Sequence, residues 1–411
     1  MTAGPVAGPA VRAGGADPAG SGPVRLPVVV YVLAVGTFLM LTTELVVAGL
    51  LPEIAGDLDV TVAQAGLLIT VFAVGMIVGA PAMALLTRRM PRRRTLVLAL
   101  AVFAAGHVVV ALGDSFPLLL AARFGTAWAT GAFWSVASVV ATRAAGPAAG
   151  SRALGLVGAG GMLANVVGVP IGAFAGQLSG WRGPFWALAV LALAAVPLIA
   201  RHVPREEEGG PPVPLRTELG ALRSGRLWLV LAACAATTGG VLSAYSYVSP
   251  LLTDRAGLGA RWVPLVLVGF GVGSLAGSIV GGRLGDRWPH ATTVAVAAST
   301  AVVLLAICLL SSAPAPAVLL VALLGLLGLS ANPALSALAV RFAGVAPALG
   351  AAMTVSAFNA GTAVGSWLAG RALGSGLGAV GPAVVGTAVA TLTLVPTVGL
   401  AVRQRERAAT R

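Results

Sequence analysis

The chain has no lysine: all 26 of its basic residues are arginine. Charge of either sign is scarce, with 9% of the 411 residues charged against roughly 25% in an ordinary soluble domain. With 58% hydrophobic residues and a mean hydropathy of +0.96, that scarcity excludes a water-soluble fold. The two cysteines, Cys234 and Cys308, sit in separate apolar runs and offer neither a disulfide framework nor metal-ligand spacing, so they read as free packing residues. Three histidines and thirteen carboxylates are too few and too scattered for a catalytic or metal-binding cluster. The expectation is therefore no enzyme, no metal and no cofactor. A net charge of +13 raises nucleic acid as a partner. The arginines, however, fall in short clusters between apolar runs without interleaved aromatics, so membrane topology accounts for the excess and nucleic acid is set aside.

Long apolar runs are what the sequence has in quantity. Stretches of membrane-spanning length recur at about 28–51, 63–87, 95–112, 117–142, 152–176 and 184–200. They resume at about 227–250, 262–282, 291–311, 316–340, 348–370 and 380–402. The breaks carry the Arg, Asp, Gly and Pro that loops need. The pattern predicts an all-α membrane protein of twelve transmembrane helices in two six-helix halves. Residues 1–26 carry only Arg12, Asp17 and Arg25 as charges in a Gly, Ala and Pro background, and read as a disordered cytoplasmic tail. The first run is too long for a cleavable signal peptide. Residues 27–200 make the N-terminal half and 227–402 the C-terminal half, with a second cytoplasmic tail at 403–411. Between the halves, residues 201–226 hold Glu206, Glu207, Glu208, Gly209, Gly210, Pro211 and Pro212, the composition of a flexible linker. Near-equal halves suggest duplication of a six-helix unit, the repeat logic behind alternating access.

Arginine placement gives an orientation, because cytoplasmic loops accumulate positive charge. With both termini inside, the cluster Arg88, Arg89, Arg92, Arg93 and Arg94 is cytoplasmic, as are Arg143, Arg152, Arg201, Arg205, Arg283, Arg287, Arg341 and the arginines of linker and tails. Only Arg182, Arg255, Arg261 and Arg371 fall outside, and Arg123 lies within a helix.

The turn after the eighth run, Gly281-Gly282-Arg283-Leu284-Gly285-Asp286-Arg287, is similar to the Gly-x-Leu-x-Asp-Arg signature of the major facilitator superfamily. After the second run the chain reads Leu86-Thr87-Arg88-Arg89, with Thr87 where the family has its aspartate. The resemblance implies the major facilitator fold and a cytoplasmic gate formed by Asp286, Arg287, Arg283 and Arg88, leaning on Asp286. The plainer alternative is a solvated loop held inside by its charge.

Most of the first half also resembles the bacterial twelve-helix drug:proton antiporter subfamily, which includes sugar, arabinose, purine-nucleoside and chloramphenicol exporters. The residues concerned are Gly36-Thr37-Phe38 with Thr43 to Ala55, Arg123 followed by Gly131-Ala132-Phe133-Trp134, and Gly168-Val169-Pro170-Ile171-Gly172 with Trp181-Arg182. Val169 separates Gly168 from Pro170, so the antiporters' Gly-Pro motif is degenerate here. The resemblance implies a monomeric transporter of the bacterial inner membrane, exporting a small organic molecule against protons through the lipid bilayer. A uniporter or proton symporter of a sugar, nucleoside or related metabolite is an alternative. So is a transport-inactive receptor or sensor, although the chain has no sizeable soluble domain to receive a signal.

Charged side chains within a span are costly unless paired or hydrated, and two stand out. Glu44 lies about 10 Å below the outer end of the first span and Arg123 about 9 Å below the outer end of the fourth. In the family both helices border the central cavity, so the pair is expected to share one layer there and to couple transport to protons. A static buried pair, or a Glu44 that snorkels to the interface, is the competing reading. Trp128, Phe133 and Trp134 are candidates for an apolar cavity wall. Asn165, Tyr245, Asn332 and Asn359, with Tyr247, are candidates for hydrogen bonds to substrate, and each can equally bond a neighbouring helix. His107, among glycine and valines, reads as structural rather than as a proton relay. Glycines four apart, as at Gly75 with Gly79 and Gly273 with Gly277, are expected to let helices approach closely.

Overall fold

The computed structural model describes residues 26–86, 90–146, 149–204, 223–344 and 346–409. The N-terminal half contains α1 (Val28–Val46), α2 (Leu51–Asp57), α3 (Leu67–Leu86), α4 (Arg92–Leu112), α5 (Phe116–Ala145), α6 (Gly150–Leu163), α7 (Val169–Ser179) and α8 (Gly183–His202). The C-terminal half contains α9 (Gly225–Ser246), α10 (Val263–Arg287), α11 (Pro289–Leu310), α12 (Pro314–Gly328), α13 (Asn332–Phe342), α14 (Pro347–Leu373) and α15 (Gly381–Ala409). Most of the expected linker, together with Thr87, Arg88 and Arg89, lies outside the described residues, as do residues 1–25.

Among the described residues, 11 segments are long and apolar enough to cross a membrane, with α6 and α7 forming one and α12 and α13 another. The remaining expected span is α14. Its 27 residues suffice in length, but Thr354, Ser356, Asn359, Thr362 and Ser366 dilute its apolar character. Thr354, Asn359, Thr362 and Ser366 are buried, so this polarity faces other helices rather than lipid.

Many helices carry proline in the first turn, where a missing N–H forfeits no bond. Gly146 and Gly180 end α5 and α7 at φ of 73° and 77°, a region open to glycine at little cost. Between α6 and α7, residues Ala164–Gly168 form a π-helical turn. Pro170 follows two residues later, with no N–H and a ring that crowds the carbonyl four residues back, and the wider turn accommodates it.

Helix pairing repeats between the halves. In the first, α1 packs on α6, α3 on α5 and α4 on α8; in the second, α9 packs on α14, α10 on α12 and α11 on α15. These are the same partners counted by span, as a duplicated unit requires. Glycine makes the approaches possible. A Cβ at Gly273, Gly277 or Gly281 would collide with the carbonyls of Ala322, Leu326 or Ser330, and one at Gly75 or Gly79 with α5 at Ala127 or Trp128. Small residues at these contacts let the backbones approach closely.

The buried apolar residues show how the halves meet. On the face away from the chain termini a single cluster joins Leu45, Val47, Leu51 and Leu68 of the first half to Tyr245, Val248, Leu267 and Phe270 of the second. Towards the termini the core divides: one cluster belongs to the N-terminal half and another to the C-terminal half. Polar contacts reinforce the joined face. Thr70 Oγ1 and Ser366 Oγ lie 2.8 Å apart, Tyr247 donates to the Ser366 carbonyl at 3.1 Å, and Gln177 donates to the Ala260 carbonyl at 2.7 Å. The Tyr247 ring lodges against Gly66 and Gly370, where any side chain would meet its hydroxyl.

Beside this face, Arg182 stacks over Trp181 at 4.3 Å and pairs with both Asp57 and Asp114, while Trp181 Nε1 donates to Asp57 at 3.1 Å. The hydrogen bonds from Arg182 and Trp181 hold the Asp57 carboxyl below the usual carboxylate range. Three connections of the N-terminal half are thereby tied together.

Candidate functional site

Arg123 is a fully buried cation, with 1% of its surface exposed. A guanidinium in that setting needs its donors occupied, and the surrounding helices supply acceptors. Nη1 donates to Thr43 Oγ1 at 2.8 Å and to the Thr43 carbonyl at 3.0 Å. Nη2 reaches the Glu44 carbonyl at 3.4 Å, and Nε the Leu68 carbonyl at 3.4 Å. The group lies over the Phe72 ring, 4.3 Å from its centroid, a cation–π contact in a desolvated setting. Arg123 of α5 thus binds α1 and α3 together at one level.

The Thr43 hydroxyl has a second partner. His107 Nε2 is 2.8 Å from Thr43 Oγ1, and His107 Nδ1 is 2.7 Å from the Phe103 carbonyl. His107 and Thr43 are both buried, and the imidazole packs between Phe103 and Phe185.

Glu44 is partly exposed, on the turn that Arg123 grips. The expectation of a side-chain pair needs correction here. No ion pair joins the Glu44 carboxylate to Arg123; the guanidinium spends its donors on Thr43 and on backbone carbonyls. Depth along the helices brought Glu44 and Arg123 to one level, but depth says nothing of rotation about the helix axis. Rotation made Thr43 the partner. Thr43, Leu68 and Phe72 escaped the sequence reading for that reason. His107 had a usable signal, since it sits five residues before the end of α4, in the same layer.

The proposed substrate contacts separate into groups. Phe133 is wholly buried against Gly36 in the core of the N-terminal half, which corrects its assignment to a cavity wall. Trp134 packs at the edge of that core. Trp128 is partly buried with Nε1 unpartnered, and Tyr245 stacks on Phe270 at 4.0 Å with its hydroxyl unpartnered. Asn332 Oδ1 and Asn359 Oδ1 are also buried without partners, although Asn359 Nδ2 donates to the Val355 carbonyl at 2.9 Å. A buried polar atom left unmatched costs roughly 1–3 kcal/mol. Asn165 is partly exposed in the π-helical turn, and its carbonyl faces Gly271 of α10. Tyr247 bonds the Ser366 carbonyl within the C-terminal half and packs on Gly66 of the N-terminal half.

At the terminal-side end of α10, Arg283, Asp286 and Arg287 are all exposed. Arg287 stacks over Trp288 at 4.5 Å, and Asp286 has no ion pair with a described residue. Arg88 lies outside the described residues. Among those described, no group of three or more His, Cys, Asp or Glu side chains is placed to hold a metal ion.

Residues 33–379 match the model of the Major Facilitator Superfamily. The chain belongs to this transporter family. As a major facilitator protein it is 39% identical over 342 residues to a "Chloramphenicol resistance protein" of Streptomyces lividans, covering 82% of this chain and 86% of that one. It is 34% identical over 333 residues to the "Uncharacterized MFS-type transporter YtbD" of Bacillus subtilis, covering 80% and 84%. Identity to the "Inner membrane transport protein YdhP" of Escherichia coli K12 is 33% over 362 residues, covering 88% and 93%. Among solved structures, a bacterial homolog of the human lysosomal transporter Spinster, inward-facing and occupied, superposes with a TM-score of 0.73 at 15% identity, covering 94% of this chain and 98% of that one. The same protein in its unoccupied form gives 0.67 over 91% and 94%. These two show the fold, that of a multi-pass helical membrane protein.

Proposed function

We propose that this major facilitator protein exports a small amphipathic organic molecule in exchange for protons. The observation that carries the reading is the layer of Glu44, Thr43 and Arg123, a membrane-embedded carboxylate with no ion-pair partner on the turn that a buried arginine holds. Such a carboxylate can take up and release a proton as helices move, while the fixed arginine supplies a constant field. The similarity to a chloramphenicol resistance protein supports outward movement of a drug-like compound. Trp128, Tyr245, Asn332 and Asn359 combine aromatic surface with unmatched donors and acceptors, which suits a molecule with an apolar body and a few polar groups.

Halves 27–200 and 227–402 act as the rocking units of a monomer, joined by the 201–226 segment. With the termini in the bacterial cytoplasm, as the arginine asymmetry favours, the joined apolar face is the outer one and the divided cores face inward. That is the state that loads cytoplasmic substrate. An efflux-deficient bacterial host expressing the protein should survive higher concentrations of chloramphenicol, or of another lipophilic compound in a drug and metabolite panel. Unchanged growth across the panel would argue against export.

Orientation has its own test. Cysteines replacing Arg89 and Arg205 should be protected from a membrane-impermeant thiol reagent in intact cells, while one replacing Asp254 should react. Labelling of all three from outside would contradict the assignment.

The gate is tested by comparing the two signature turns. Asp286→Asn is expected to slow transport about tenfold, with substrate affinity little changed, because only this turn keeps the acid that can engage neighbouring helix ends. Each tenfold step in rate corresponds to about 1.4 kcal/mol. Thr87→Asn should transport normally. Equal rates for both variants at matched expression would remove Asp286 from the gate.

A further inference from the structure

We propose that His107 is a positioning residue for the coupling layer, a permanently neutral imidazole that orients Thr43 so that its hydroxyl receives Arg123. The inference rests on the reading of Glu44 and Arg123 as the coupling site, and it follows from donor and acceptor matching. The Phe103 carbonyl can only accept, so the 2.7 Å contact places a hydrogen on His107 Nδ1. A guanidinium can only donate, so the 2.8 Å contact from Arg123 Nη1 occupies a lone pair of Thr43 Oγ1. The hydroxyl then has its single hydrogen to give, and the bare Nε2 of His107 takes it at 2.8 Å. Every polar atom from Phe103 to Arg123 is matched in one arrangement and no other with a neutral ring.

A second proton on His107 would turn Nε2 into a donor facing the hydroxyl and drive the threonine hydrogen elsewhere. It would also bury a second cation one side chain away from Arg123, at a site where Arg123 is 1% exposed and His107 1% exposed. Among the described residues no carboxylate bonds the ring: Glu44 of α1 and Arg123 of α5 are the charged groups named in this layer, and α8, the other helix packed on α4, presents Phe185 to the ring. The ring therefore does not carry the exchanged proton. Its work is to keep the Thr43 hydroxyl turned, and thereby to hold the arginine charge at a fixed place beside the Glu44 carboxylate throughout the cycle.

Two measurements on the full-length protein decide the matter. Nitrogen NMR of protein labelled with ¹⁵N-histidine reports on His107, His202 and His290, and the His107 signals are those lost in His107→Gln. One ring nitrogen should stay protonated and the other bare from pH 5 to 9, with Nδ1 the protonated one. Protonation of both nitrogens within that range would make His107 a proton carrier and overturn the proposal.

Chloramphenicol efflux in everted vesicles driven by a proton gradient is the second. His107→Leu and Thr43→Val should each lower the maximal rate about tenfold, the counterpart of one buried hydrogen bond, with KM unchanged and both limbs of the pH profile kept. The double variant should be no slower than the slower single one. His107→Gln, whose side-chain oxygen can accept from Thr43, should recover most of the rate. A His107→Leu protein that transports at the wild-type rate would overturn the proposal, as would a His107→Gln protein that loses one limb of the pH profile. Glu44→Gln run alongside separates the two readings. Gradient-driven transport by that variant removes the coupling site itself, whereas its loss beside an unaffected His107→Leu removes only the role of His107.

Discussion

Glu44→Gln is expected to leave the protein folded and inserted while reducing proton-driven efflux to the background of vesicles without it. Glutamine keeps the size and most of the hydrogen bonding of the side chain but cannot exchange a proton, so the substitution isolates the chemistry. Among the described residues, no hydrogen bond or ion pair to the carboxylate is lost by the change. Arg123 grips α1 through Thr43 and through the Glu44 main-chain carbonyl, and both contacts survive the change. Downhill movement of substrate along its own gradient should therefore persist, because the protein can still rock without carrying a proton. Uphill transport should stop. The measurement is accumulation of substrate in reconstituted vesicles with and without an imposed pH gradient, and accumulation by the glutamine variant would make the carboxylate structural.

Gly66→Val should act through the seal of the joined face rather than through the proton. Any side chain at Gly66 meets the Tyr247 hydroxyl, so the ring must leave its seat. Its departure breaks the 3.1 Å bond to the Ser366 carbonyl and loosens the 2.8 Å contact of Thr70 with Ser366 that crosses between the halves. The Tyr247–Ser366 bond lies within the C-terminal half, so the shift between closed and open faces comes from the one Thr70–Ser366 bond across the halves, about fivefold at about 1 kcal/mol. Cysteines placed at Gln177 and Ala260, which also meet across the halves, report this with a short bifunctional cross-linker, since they link readily when the face is closed and poorly when it is open. Gly56→Val is the control, because open space surrounds that position. Equal cross-linking in both backgrounds would show that Tyr247 does not hold the face.

Much of this architecture was legible in the sequence because hydropathy and arginine placement are written along the chain, one span at a time. The signature ending in Asp286-Arg287 marked the family, and helical rise brought Glu44 and Arg123 to a common level. What the sequence left out is rotation about helix axes. That hid the grip of Arg123 on Thr43, and it put Phe133 among cavity residues when the ring fills the space that Gly36 leaves in the core. The polar residues of α14 weakened its apolar signal for the same reason, since they are buried against other helices rather than spread around the surface. The π-helical turn before Pro170 had a local cause in the proline, yet its docking onto Gly271 of α10 is a contact over a hundred residues away in sequence and was not legible.

Proton exchange coupled to substrate movement is the central claim, and everted membrane vesicles test it most directly. Respiration acidifies their interior, and a pH-sensitive dye reports the gradient. Adding chloramphenicol, or another compound to which the protein confers resistance, should release protons from the lumen and restore fluorescence in wild-type vesicles, with no response from Glu44→Gln. Substrate uptake without any proton movement, or an equal response from the glutamine variant, would contradict the account.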